Sequence, residues 1–82
     1  MAIRKNRDLI KQAAAGHIKK HRETKAVSQT ALADSIGVSQ PLVSAWERGK
    51  VAPSVEDLVN IEQALKLDRG ELLLEVAYGT HQ

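Results

Sequence analysis

Apolar residues along the chain recur at three- and four-residue spacing, as in Leu9-Ile10 with Ala13-Ala14, Leu32 with Ile36, and Val43 with Trp46. No segment alternates with the two-residue period of a strand, and β-branched residues are scattered. The pattern predicts an all-α chain. Four helix starts share one device: an apolar or Pro residue, a capping side chain, and an apolar residue four positions after the cap. They are Val27-Ser28 with Leu32, Val38-Ser39 with Val43, Pro53-Ser54 with Leu58, and Leu67-Asp68 with Leu72. At each, the cap oxygen is placed to accept a free first-turn N–H while the flanking apolar pair closes over it as a hydrophobic staple. Asp68 with Glu71 reads as a full capping box, and Ser54 with Asp57 as a weaker one.

These signals predict helices over about 29–36, 40–48, 55–66 and 69–77. A first helix is expected from about residue 8 through GHIKKHRETK, with Gly16 as its weak link. Residues 1–7 show no apolar period and are expected to form a mobile basic arm. Residues 8–78 are then one domain, and residues 79–82 a flexible tail.

The stretch ADSIGVSQPLVSAW turns from one helix into the next with very little chain. Gly37 takes a left-handed conformation at little cost, Val38 plugs the angle, and Ser39 caps the following helix. Pro41 falls in the first turn of that helix, where its missing N–H has no intrahelical partner to lose. Ala33 is small where the two axes approach, and Leu32, Ile36, Val43 and Trp46 supply the apolar face. This is the corner that a helix-turn-helix requires. Trp46, three residues from Val43, is expected in the core and not as a stacking platform.

Composition sharpens the picture. At 82 residues one core is small, so a second subunit is expected to add buried area. Absence of cysteine rules out disulfides and thiolate metal sites and fits a reducing cytoplasm. No apolar run approaches a membrane span, and MAIRKNRD lacks a secretory apolar stretch. Charge is unevenly spread: residues 1–25 hold eight Lys/Arg against Asp8 and Glu23, whereas residues 53–82 hold six Asp/Glu against Lys66 and Arg69. A basic end of this kind fits a polyanion partner or a solvated helix.

Across Ile18 to Leu74 the chain resembles the DNA-binding domains of lambda-repressor and Cro type. The resemblance is carried by IKKHR, SQTALADSIGVS, WERGK, Pro53-Ser54 and LDRGELL. It implies a five-helix fold with helices 2 and 3 as the helix-turn-helix, and a structural ion pair between Arg22 and Glu47. In this fold the start of helix 3 enters the major groove and the start of helix 2 abuts the phosphates. Gln40 is then first over the base edges, where a glutamine amide matches adenine. Gln29 binds a phosphate and braces Gln40, as the family's paired glutamines do. Ser44, Pro41 and Ala45 extend the base-contacting set, and Ser39, Arg48 and Lys50 join Gln29 on the backbone. Ala45 stands where the family often has a longer side chain, so few direct contacts and DNA shape share the readout. Arg4, Lys5 and Arg7 are candidates for an arm in a groove.

Other constellations read as inert. His17 and His21 share a helix face at zinc-ligand spacing, yet no third ligand is expected nearby, His81 lying in the tail and carboxylates elsewhere. No paired nucleophile and base and no glycine-rich phosphate loop occur, so no enzyme, metal or cofactor is expected. Leu72, Leu73, Leu74, Val76 and Tyr78 make the last helix apolar around most of its girth, and Leu72, Leu74, Val76 and Tyr78 are the candidate dimer interface. The expected function is a cytoplasmic, bacterial or phage-encoded regulator that binds double-stranded DNA, a homodimeric repressor on a partly palindromic operator. The alternatives are an antitoxin or restriction-modification controller with a protein partner, and an interaction module that no longer reads DNA. With no second domain for sensing in view, control is expected through concentration, a partner or proteolysis.

Overall fold

The computed structural model describes the backbone of residues 2–79 and the side chains of residues 8–78. Five helices follow in order: α1 (Ala2–Thr24), α2 (Gln29–Ile36), α3 (Gln40–Glu47), α4 (Val55–Ala64) and α5 (Glu71–Gly79). No strand occurs among the described residues.

Side-chain caps explain three of the starts. Ser28 accepts the N–H of Ala31, Ser39 that of Leu42 and Ser54 that of Asp57. The two capping boxes trade places relative to expectation. Ser54 and Asp57 form the full reciprocal box, while the Asp68 pair shows the return half, Asp68 N–H donating to Glu71 Oε1 at 3.1 Å. The reason lies in the intervening turn. Gly70 adopts φ +86°, which delays α5 to Glu71, two residues after its expected start.

Helix ends repeat a motif of their own. Val27, Val38, Lys50 and Leu67 each donate a backbone N–H to the carbonyl five residues back, the closing bond of a Schellman turn. The left-handed residue preceding each is Ala26, Gly37, Gly49 and Lys66 respectively. Only two of these are glycine, so α1 and α4 stop at residues that bear a β-carbon in a region costing about 1–2 kcal/mol.

α1 begins at Ala2, six residues before its expected start, so the segment read as an arm continues the helix backbone. Residues 2–15 hold no Gly or Pro, and Ala, Arg, Lys and Leu are strong helix formers even without an apolar period. The side chains of Arg4, Lys5 and Arg7, and tail residues 80–82 with His81, lie outside the described residues.

α1 packs on α3 and α5, α2 packs on α3 and α4, and α4 packs on α5. They enclose one core of Ala14, Ile18, Leu32, Ala33, Val43, Trp46, Leu58, Ile61, Leu65, Leu72 and Val76. Trp46 is the largest of the fully buried side chains and, like Val43, carries α3 into this core. Each buried Ile, Leu or Val contributes about 1.5–3 kcal/mol relative to exposure. Burying Val43 and Trp46 fixes which side of α3 faces inward, and so which side faces out. No described helix is long and apolar enough to cross a membrane.

Candidate nucleic-acid interface

The corner between α2 and α3 is built as its residues require. Gly37 has φ +76° and ψ +32°, and its N–H bonds to Ala33 O. A Cβ there would meet nothing within 4 Å, so the need for glycine is conformational and not steric. Ser39 then caps α3, with Pro41 in its first turn. Opposite the buried Val43 and Trp46, Pro41, Ser44, Ala45 and Arg48 fall at helical spacing on the outer side. Pro41 and Arg48 are exposed, Ser44 and Ala45 half-buried, and Arg48 Nε donates to Ser44 Oγ at 3.2 Å.

Behind this face runs a chain of four polar side chains drawn from three helices. Arg22 grips Glu47 at two points, Nε to Oε2 at 2.7 Å and Nη2 to Oε1 at 2.9 Å, and its Nη1 donates to Val27 O at 2.8 Å. Glu47 Oε1 also accepts Gln29 Nε2 at 3.0 Å, and Gln29 Oε1 accepts Gln40 Nε2 at 2.7 Å. The side chains of Arg22 and Glu47 are 12% and 3% exposed, so the pair is internal. Burial alone pushes the Glu47 carboxyl upward. Hydrogen bonds from Arg22 and Gln29, with the charges of Arg22 and Lys19, outweigh it and hold the group below its usual 4.5. The bond to Glu47 correspondingly raises the Arg22 guanidinium. A half-buried Gln40 at the first turn of α3 is thus tethered through Gln29 to a charged anchor in the interior.

A helix-turn-helix family model matches residues 18–72, which takes in the corner, the tether and the last two helix starts. The chain belongs to the lambda-repressor-like helix-turn-helix family. Within it, the chain is 33% identical over 57 residues to an uncharacterized HTH-type transcriptional regulator, YqaE, of Bacillus subtilis (strain 168). That alignment takes in 70% of this chain and 49% of YqaE, so the chain spans about half the length of this relative. Two crystal structures of the clp gene regulator ClgR from Corynebacterium glutamicum share the fold, each at 28% identity. One has a TM-score of 0.76 over 88% of this chain and 77% of its own, the other 0.75 over 87% and 91%.

The remaining side chains singled out on the helix-turn-helix divide by exposure. Ser39 and Lys50 are exposed at the two ends of α3, and Gln29 is half-buried at the start of α2. The fold brings Gln29 to Gln40 and Arg22 to Glu47, as the resemblance implied. It adds one link that sequence reading missed, the bond from Gln29 to Glu47, which crosses 18 residues of chain and leaves no local signature.

Two readings of α5 need correction. Leu72 and Val76, expected at a dimer interface, are 0% and 3% exposed and belong to the protomer's own core, while Leu74 and Tyr78 are 53% and 67% exposed. Apolar residues all round the helix concealed which face the neighbouring α1 and α4 cover. Carboxylates were also expected away from His17 and His21, yet Glu75 of α5 comes to both. His21 Nε2 lies 2.6 Å from Glu75 Oε1 and joins α1 to α5, and His17 Nδ1 lies 3.9 Å from Oε2. Among the described residues no group of three His, Cys, Asp or Glu is arranged to hold a metal ion.

Glu62 is the other functional-looking residue that sequence reading passed over. It is 3% exposed on α4, and its oxygens accept the N–H groups of Gly70 and Leu73, each at 2.9 Å. It therefore satisfies two backbone donors at the start of α5, of which only Gly70 lies within reach of the cap expected at Asp68.

Proposed function

We propose that the protein is a sequence-specific regulator that binds double-stranded DNA as a homodimer and represses by occupying a partly palindromic operator. Gln40 lies over base edges in the major groove, with Pro41, Ser44 and Ala45 beside it. Gln29, Ser39, Arg48 and Lys50 contact phosphates and set register. Leu74 and Tyr78 belong to the interface between copies, which sets two recognition helices about 34 Å apart. The regulator is bacterial or phage-encoded and works in the cytoplasm, and no catalytic step is part of this reading.

One observation carries it: Gln40 stands at the outer start of α3, tethered by Gln29 to a buried ion pair. An amide held this firmly is prepared to read a base edge, since little side-chain freedom remains to be lost on binding. Gel shifts across a salt series on random and selected duplexes test the reading. The expected result is tighter binding to the selected duplex, with affinity for both falling steeply as salt rises. A protein with no salt-dependent binding to either duplex overturns it.

A further inference from the structure

An ionised carboxylate only accepts hydrogen bonds, whereas a primary amide has an accepting oxygen and a donating nitrogen. The Gln29 atom lying 3.0 Å from Glu47 Oε1 is therefore obliged to be nitrogen. Gln29 consequently turns its oxygen to Gln40, and the Gln40 atom 2.7 Å from it is obliged to be nitrogen in turn. Reversing either amide sets oxygen against oxygen. A fixed negative charge is thus converted, through two neutral side chains, into one orientation of the outermost amide.

That orientation has a chemical meaning. With one N–H given to Gln29, Gln40 retains one N–H donor beside an oxygen acceptor, the complement of adenine N7 and N6–H₂. Were both amides reversed, Gln40 would accept from Gln29 through its oxygen and turn its two N–H donors outward, the complement of guanine N7 and O6. We propose that Glu47, at the opposite end of α3, is the positioning residue that sets Gln40 for adenine and against guanine. The inference rests on the reading that Gln40 faces base edges. Arg22 and Lys19 support it by keeping the Glu47 carboxyl ionised, so the amide order persists across the neutral range.

The test compares selected duplexes that differ only in A·T or G·C at the position protected by Gln40. Two variants are used. Glu47→Gln replaces the acceptor-only end with a group that serves either polarity. Gln29→Met breaks the tether while leaving the Arg22 to Glu47 pair and the side-chain volume in place, so it decides the matter where Glu47→Gln proves unfolded by Trp46 fluorescence. The expected result is an adenine preference of about fivefold or more in the parent, the fold-change of one bidentate contact, falling toward one in the variants. A parent preference that survives in folded Gln29→Met overturns the proposal and leaves the DNA reading standing. Side-chain amide exchange, followed by NMR without DNA, separates the two layers. Unequal exchange of the two Gln40 amide protons in the parent, made equal in Gln29→Met, is expected. Equal exchange in the parent overturns the proposal, and unequal exchange with no selective binding to any duplex overturns both it and the reading beneath.

Discussion

Arg22 holds Glu47 through two parallel hydrogen bonds of 2.7 and 2.9 Å, tying the last turn of α1 to the last residue of α3. Removing one partner of a buried pair is far more damaging than an exposed loss, because the remaining charge stays desolvated. Arg22→Met is expected to cost about 3–5 kcal/mol, measured by urea unfolding with Trp46 fluorescence as the probe. An effect below about 1 kcal/mol, the size of an exposed pair, would show that the contact is not structural.

The same pair predicts how stability responds to acid. Glu47 is held below its usual 4.5, so the folded chain binds this proton less readily than the unfolded chain. Its contribution is fully present above about 4.5 and is lost as pH falls through the depressed folded value. In Arg22→Met only burial and the weaker contacts remain, which pushes the carboxyl upward, so the penalty of the variant shrinks as pH falls. Unfolding curves from neutral pH to pH 3 check this. A gap between parent and variant that widens on acidification contradicts it.

Glu62→Ala leaves the N–H groups of Gly70 and Leu73, both half-buried, without their acceptor. Hydrogen bonds to a charged acceptor are each worth about 1.5–3 kcal/mol, so a loss of at least that size is expected. Faster amide exchange at Gly70 and Leu73, with α2 and α3 unaffected, locates the damage at the start of α5. Unchanged protection at both amides argues against the cap.

For the proposed reading face, Gln40→Ala is expected to cost about 1–3 kcal/mol on the preferred duplex and little on random DNA. Lys50→Ala should weaken both alike and lower the salt slope by about one unit. Quantitative footprinting separates these. Equal losses on both duplexes for Gln40→Ala would remove its reading role.

Leu74→Glu addresses the interface between copies. Leu74 is 53% exposed in the protomer, so the charge leaves the fold intact and acts only where a partner covers it. Association should weaken by about 2 kcal/mol or more, as for a central interface residue. Analytical ultracentrifugation reads this directly, and an unchanged monomer–dimer balance takes α5 out of the interface.

What could be read in advance follows the range of the interaction involved. Ser28, Ser39 and Ser54 announced helix starts because a cap reaches an amide three residues away. Gly37 announced a stop because the left-handed turn favours a residue without Cβ. Ala26 and Lys66 make the same turn with a side chain present, so composition gave no sign of it. Long-range partners stayed hidden as well. Glu62 serves donors 8 and 11 residues on, and Glu75 meets a histidine 54 residues back, pairings that only the packing of α4 and α1 on α5 creates. The inward face of α5 was invisible for the same reason, since Leu72 and Leu74 differ in neighbours and not in chemistry.

Glu47 Oε1 is shared between a guanidinium within the molecule and an amide that leads to its surface. Heritable change at this residue therefore touches durability and recognition in a single step. Lineages that alter their target at this point are expected to do so by exchanging Gln29 and Gln40 first, keeping the anchor beneath them intact.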